Sequence, residues 1–217
     1  MNIEQARFNM IEQQIRPWEV LDASVLSLLS LLRREDFVPP AHRALAFMDL
    51  EVPLPEGQCM LAPKVEARLL QELALHKHER VLEVGAGSGY MAALLAHQSQ
   101  HVITLEKRAT LARLATDNLR RAGVFNAEVR HADGAAGLPG EAPFDAIVLS
   151  GSVAEVPRAL LEQLKVGGRL VAIEGDEPVM PAVLYTRRGA DGWQRVELFD
   201  TVAPRLEGYP EPSRFSF

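Results

Sequence analysis

Residues 80–90 read Arg-Val-Leu-Glu-Val-Gly-Ala-Gly-Ser-Gly-Tyr, RVLEVGAGSGY. Val81, Leu82 and Val84 are branched apolar residues with little alternation, which predicts a short strand buried on both faces of a parallel sheet. Gly85, Ala86, Gly87, Ser88 and Gly89 then make a turn that only small residues can follow. Tyr90 to His97 predicts a helix with Met91, Leu94 and Leu95 on one face. A strand, a glycine turn and a helix in that order form a place where backbone N–H groups meet a ligand at close range.

The spacing of the glycines narrows the ligand. The dinucleotide fingerprint is G-x-G-x-x-G, whereas the glycines here are 85, 87 and 89, and Tyr90 stands at the third dinucleotide position. Glu83 lies just ahead of the first glycine, where an anion would repel a pyrophosphate. It suits instead a ligand with a cationic end, such as S-adenosylmethionine (AdoMet), which carries an ammonium and a sulfonium and no phosphate. The segment resembles the E/D-x-G-x-G-x-G first motif of AdoMet-dependent methyltransferases. The bland alternative is a tight strand–helix turn with no ligand. An NAD oxidoreductase is disfavoured by Tyr90 and Glu83.

Downstream, strand and helix patterns alternate. His101 to Leu105 reads as a strand closing with Glu106. Arg108 to Ala122 reads as a helix ended by Gly123, and Ala127 to His131 as a third strand before Ala132-Asp133-Gly134. Phe144 to Leu149 is a fourth strand, Val156 to Leu164 a helix with Pro157 in its first turn, and Arg169 to Ile173 a fifth strand. Ala182 to Arg187 and Trp193 to Phe199 flank GADG and read as an antiparallel hairpin. The expected class is therefore α/β, with a doubly wound, mainly parallel sheet. In such a sheet, ligands sit outside the carboxyl ends of the strands. Glu83, Glu106 and Asp133 fall at three such ends. Glu106 can accept both ribose hydroxyls, since two carboxylate oxygens match two adjacent O–H donors. Asp133, or the backbone beside it, can meet the adenine amine, and Glu83 with Gly85–Gly89 can hold the methionine end. Lys107 and Gly134, next to two of the acids, complete the expected cofactor-binding set. For each acid alone, a solvated strand-end carboxylate is the bland alternative.

Upstream, Phe8, Ile11 and Ile15 have helical spacing before Pro17. Asp22 is an expected N-cap for a leucine-rich helix carrying Val25, Leu26, Leu28, Leu29 and Leu32. His42 to Phe47 reads as a short helical turn. Asp49 to Pro63 is a connector kept irregular by Pro53, Pro55, Pro63 and Gly57, with an apolar centre at Cys59-Met60-Leu61. Lys64 to Ala74 is an amphipathic helix with Val65, Leu69, Leu70 and Leu73 inward. These patterns divide the chain into residues 1–63, an N-terminal helical lobe with its connector, and 64–217, an α/β domain.

Composition sets the class. The chain has 217 residues, a net charge of −6 and one cysteine, Cys59. A lone cysteine excludes an internal disulfide and fits a reducing cytoplasm. No apolar run approaches the roughly 20 residues that cross a bilayer, and the first residues carry acids with no apolar signal core. Six scattered histidines complete no zinc set, so no metal is expected. Basic pairs stay isolated, so neither nucleic acid nor membrane is an expected partner.

The chain resembles the protein-L-isoaspartate O-methyltransferase family over nearly its whole length. The resemblance is carried by MIEQQIRPWEVLD, by REDFVPPAHRALAFMDLEVPLPEGQ, by VLEVGAGSGYMAALLA and by HADGAAGLPGEAPFDAIVLSGSVAEVPRALLEQLKVGGRLV. It implies a seven-stranded Rossmann-like methyltransferase sheet with an N-terminal helical lobe, AdoMet as cofactor, and methyl transfer to a protein or peptide carboxylate. It also implies that the connector within 1–63 is the acceptor loop and that 64–217 is an AdoMet-binding α/β domain with a C-terminal extension. Such an acceptor is ionised at neutral pH and needs no general base. After G-Q the family reads T-(I/L)-S, and the serine is expected to help hold the acceptor carboxylate and cofactor. Here the loop reads Gly57-Gln58-Cys59-Met60-Leu61, so Leu61 occupies the serine position and two hydroxyls are lost. Losing a donor to an ionised group is worth roughly 1.5–3 kcal/mol, on the order of 10–100-fold in rate. Gln58, Cys59, Met60, Leu61 and Ser150 form the expected substrate pocket, and no catalytic residue is named. Ser150 and Ser152 are expected after the fourth strand, and His131 is expected to be structural. The departure keeps two alternatives open: a different, more apolar small-molecule acceptor, or a non-catalytic AdoMet-binding protein. The closing EGYPEPSRFSF does not match the family.

Overall fold

The computed structural model describes residues 2–211. The last six residues of the tail, 212–217, lie outside them. The chain opens with α1 (Ile3–Met10), capped by Asn2, whose side chain accepts the Gln5 N–H. A π turn (Ile11–Ile15) and a 3-10 turn (Arg16–Trp18) follow. Ile11 and Ile15 are buried as expected, but Phe8 is exposed and Met10 takes the inward position, because the wider π turn rotates the apolar stripe. Asp22 caps α2 (Ala23–Leu31), its carboxylate accepting from Ser24 and Val25 N–H. The five predicted apolar residues of this helix are all buried.

The connector is more regular than its prolines suggest. Val52–Pro53 (β1) and Cys59–Met60 (β2) pair as a minimal antiparallel ladder around a turn at Pro55–Gly57. Glu56 and Gly57 both take positive φ there, 58° and 71°. α3 (Pro63–Leu73) follows, with Val65, Leu69, Leu70 and Leu73 buried.

The sheet comprises β3 (Arg80–Val84), β4 (His101–Glu106), β5 (Ala127–His131), β6 (Phe144–Val153), β7 (Leu164–Glu174), β8 (Met180–Arg187) and β9 (Trp193–Thr201), in the order β5-β4-β3-β6-β7-β8-β9. The first five are parallel, and β8 and β9 add antiparallel strands at one edge. α4 (Tyr90–Gln98) and α5 (Ala109–Arg121) pack on one face with the N-terminal lobe. α6 (Arg158–Leu161) packs on the other, with Tyr209 of the tail. α4 is buried all round from Tyr90 to Ala96 rather than on one face, because the lobe covers its outer side. No helix among the described residues is long and apolar enough to cross a membrane.

Several predicted boundaries move, among them the start of β7, which lies at Leu164 rather than Arg169. The helix expected over 156–164 shrinks to the single turn α6: Pro157 holds an extended ψ of 134° at its start, and Leu164 is drawn into β7 opposite Phe144. β6 runs four residues past Leu149. Beyond that point it loses β3 but pairs Ser152 and Val153 with Ile173 and Glu174, and the tail joins it. Ser152 N–H donates to Pro204 O (2.8 Å) and Leu206 N–H donates to Ser152 O (2.8 Å). Ser150 and Ser152 therefore sit inside the strand, not after it.

Candidate active site

β3 delivers the chain to its carboxyl edge at Val84. Gly85, Gly87 and Gly89 then take φ of 94°, 53° and 83°, which is why glycine recurs at every second position. The expectation that this turn aims its N–H groups at a ligand is corrected for four of its five residues. Gly85 and Ala86 donate to Leu105 O (2.9 and 3.3 Å), Gly87 donates to Glu106 Oε2 (2.9 Å), and Gly89 donates to Ala86 O (2.7 Å). Ser88 Oγ accepts the Tyr90 N–H (3.3 Å) at the start of α4. What the turn offers is bare backbone. A Cβ on Gly85 would stand 2.9 Å from Leu206 Cδ2, and one on Gly87 3.3 Å from Leu54 Cδ1.

The three predicted acids reach one edge of the sheet, each in a different state. Glu106, at the end of β4, is buried, and its oxygens accept from Gly87 N–H and Arg108 N–H (each 2.9 Å). A carboxylate has about four lone-pair sites, so each oxygen keeps one for a diol. Asp133, after β5, is exposed and accepts the Ala135 N–H (3.0 Å), while Lys107 Nζ pairs with it at 2.9 Å. These two contacts, the backbone bond first, hold its carboxyl below the ordinary value. Glu83 is wholly buried. Its Oε1 accepts from Ser150 Oγ (2.7 Å), and its Oε2 has no partner among the described residues. Burial pushes its carboxyl up to about 8, against the lowering effect of the Ser150 hydroxyl.

Glu106 and Asp133 line one cleft with Gly85, Gly87, Lys107 and Gly134, and with Gln58, Cys59 and Ser150 from the predicted substrate side. A deeper recess continues inward between Glu83, Ala86 and Ser88 and the loop residues Cys59, Met60 and Leu61. The carboxyl edge thus gathers every predicted cofactor-binding and substrate-pocket residue except Gly89, which packs against Ala115 of α5. Ser152 is excluded: its hydroxyl donates to Ala203 O (2.8 Å) and anchors the tail. His131 lies off the cleft, its Nε2 3.1 Å from Lys107 O.

The acceptor side offers few hydroxyl donors. The Leu61 side chain is buried, and its carbonyl accepts from Arg34 Nη2 (2.7 Å). The Cys59 thiol donates to Glu51 Oε2 (3.5 Å). Burial and the Glu51 charge push that thiol up to about 12, which rules it out as a nucleophile at neutral pH. The Ser150 hydroxyl is committed to Glu83. The Gln58 side-chain amide, in the cleft wall, carries no hydrogen bond among the described residues.

Sequence reasoning missed eight lining residues, of which four are polar or come from the tail. Leu206 and Glu207 come from the aperiodic tail, which gave no signal of its path. Arg108 ties the loop to that tail, pairing with Glu56 (3.2 Å) and with Glu207. Glu66 lines the inner recess. Its signal was legible: it stands three, four and seven residues before Leu69, Leu70 and Leu73, on the inward stripe of its own helix.

The model of the family described as Protein-L-isoaspartate(D-aspartate) O-methyltransferase (PCMT) matches residues 5–197. A Rhodopseudomonas palustris protein named protein-L-isoaspartate O-methyltransferase is 40% identical over 207 residues, covering 94% of this chain and 95% of its own. One of the same name from Methanoculleus marisnigri is 41% identical over 182 residues, covering 84% of this chain and 83% of its own. In fold, the chain is similar to a Plasmodium falciparum chain described as a β-aspartate methyltransferase and solved with S-adenosyl-L-homocysteine. That likeness has a TM-score of 0.80 at 21% identity and covers 95% of this chain and 99% of the other.

Proposed function

The chain belongs to the protein-L-isoaspartate O-methyltransferase family, and we propose that it transfers the methyl group of AdoMet to the free carboxylate of an isoaspartyl residue in a protein or peptide. One observation carries this reading. Glu106, Asp133, Gly85 and Gly87 share one cleft with Gln58 and Cys59 of the acceptor loop, and Met60 and Leu61 line a recess bounded by the same glycines. The family match includes the lobe and the acceptor loop as well as the cofactor half, which weighs against an unrelated acceptor.

The residues fit AdoMet. Glu83 keeps a buried oxygen without a partner, as a carboxylate awaiting a cation would. Glu106 keeps lone pairs for the ribose, Asp133 with Gly134 stands where the adenine would lie, and the bare turn at Gly85 and Gly87 lets a ligand approach the backbone. Bound AdoMet supplies the electrophilic methyl and a thioether leaving group. The protein supplies alignment and a dry site. Leu54, Leu206 and the buried Leu61 keep water from the turn, and Arg34 fixes the loop backbone through the Leu61 carbonyl. An acceptor carboxylate is already ionised, so no proton has to be removed and no base is required. With the loop hydroxyls absent, the Gln58 amide is the neutral donor that can orient this carboxylate. The single thiol, Cys59, suits the reducing cytoplasm in which such an enzyme would act.

The test is transfer of labelled methyl from AdoMet to an isoaspartyl peptide beside its aspartyl twin. Base-labile label on the isoaspartyl peptide alone is the expected result. Label on neither peptide, with cofactor binding verified in the same sample, would overturn the reading.

A further inference from the structure

Glu66 is a buried acid that the cofactor motifs do not use. It lies in the first turn of α3 and is 5% exposed. Its Oε2 pairs with Nη1 of Arg34, a side chain that is itself 1% exposed. The same guanidinium donates to Leu61 O (2.7 Å) and lies over the Tyr90 ring, 4.8 Å from its centroid. Both Arg34 Nη atoms are therefore committed on the lobe side, while its buried Nε has no partner among the described residues. On its other side, Glu66 lines the inner recess with Glu83, Ser88 and Leu61.

Two carboxylates thus border one recess that has a single buried guanidinium behind it. Arg34 balances one of them. The other, on Glu83, is wholly buried and has an oxygen with no partner. In the empty site burial keeps a proton on that carboxyl at neutral pH. A bound cation that carries N–H donors would favour its charged form and use the oxygen left without a partner. Among the described residues, no third His, Cys, Asp or Glu joins the pair to make a metal site. An ammonium has three donors, enough to satisfy both acids.

We propose that Glu66 and Glu83 together form a two-carboxylate seat for the α-ammonium of the cofactor's amino-acid end, with Arg34 holding Glu66 in place. The inference rests on the AdoMet reading of the site and extends it to a residue outside the glycine motif. It makes recognition of the amino-acid end a joint property of the lobe and the sheet.

The test compares two ligands by titration calorimetry on the full chain: S-adenosylhomocysteine, and its deaminated analogue with hydrogen in place of the ammonium. The wild type is expected to favour the ammonium ligand by at least roughly 10-fold, the scale of a charge-assisted hydrogen bond. Glu66→Gln keeps an oxygen for Arg34 but removes the charge. It should cut that preference by about 10-fold and leave affinity for the deaminated ligand within about 2-fold. Glu66→Asp, which keeps the charge, should retain most of the preference. Equal weakening of both ligands by Glu66→Gln would make Glu66 a purely structural partner of Arg34 and overturn the proposal, as would no change in either. Should Glu66→Gln fail to fold, the double variant Arg34→Met with Glu66→Met removes the pair as a unit and must show the same lost preference. A wild type that binds neither ligand would overturn the cofactor reading itself, and this inference with it.

Discussion

Leu61 fills with carbon the position where a hydroxyl would steady an acceptor carboxylate, and Cys59 spends its weak donor on Glu51. Replacing both, Cys59→Thr with Leu61→Ser, should raise kcat/KM on an isoaspartyl peptide by roughly 10–100-fold. The same change removes a buried leucine and should lower stability by about 2–4 kcal/mol. Steady-state kinetics and denaturant unfolding on one preparation read both. Glu83 gives a prediction of pH dependence. Its carboxyl rises from 4.5 to about 8 on folding, mainly through burial, with Ser150, Thr104, Glu66 and Glu106 facing it. Between those values the folded chain holds a proton that the unfolded chain has released. Glu83's contribution to stability is therefore present below 4.5, falls as pH rises toward 8, and is level beyond. Glu83→Gln cannot ionise. Its melting temperature should gain on the wild type across that window and then run parallel, and thermal scans of the unliganded proteins over pH would show it. A constant offset across the window would refute the shift.

At the scale of elements, the cleft is roofed by two segments that are far apart in sequence. The turn between β1 and β2 comes over from the lobe, and residues 203–209 return from the end of β9. Ser152 hydrogen-bonds the tail beside β6, Leu206 rests on Gly85 and Gly151, and Arg108 bridges Glu56 and Glu207. These ion pairs are partly exposed, and solvent screening leaves such pairs little weight in global stability. Arg108→Gln should therefore leave the melting temperature close to that of the wild type. It should nevertheless speed S-adenosylhomocysteine release several-fold, because it unties both halves of the roof at once. Added salt should speed release from the wild type in the same direction and have less effect on the variant. Stopped-flow displacement measures both. The same roof explains why β6 outruns its expected end. Ser150-Gly151-Ser152 has the composition of a turn, yet β7 and the tail supply partners that keep it extended.

At the scale of the molecule, one apolar cluster runs from Met10, Ile15 and Leu29 of the lobe through Leu69 and Leu94 to Val102 and Val171 of the sheet. A lobe that shares its core cannot unfold alone, so calorimetry should show one transition, with the lobe and the α/β part melting together. A separate low-temperature transition that a 64–217 fragment lacks would contradict this. Sequence alone determined the order of strands and helices, the cap at Asp22, the glycine turn and the three acids at strand ends. Each of these rests on local rules: periodicity, side-chain hydrogen bonding to nearby backbone, and freedom from a Cβ. Tertiary structure alone decided that the N–H groups of Gly85, Ala86 and Gly87 are spent on Leu105 and Glu106, that Glu66 and Glu83 line one recess, and that Leu206 of the tail lies over Gly85. Those facts depend on contacts between segments separated by up to about half the chain, whose pairing is set by packing and leaves no periodic trace in the residues themselves.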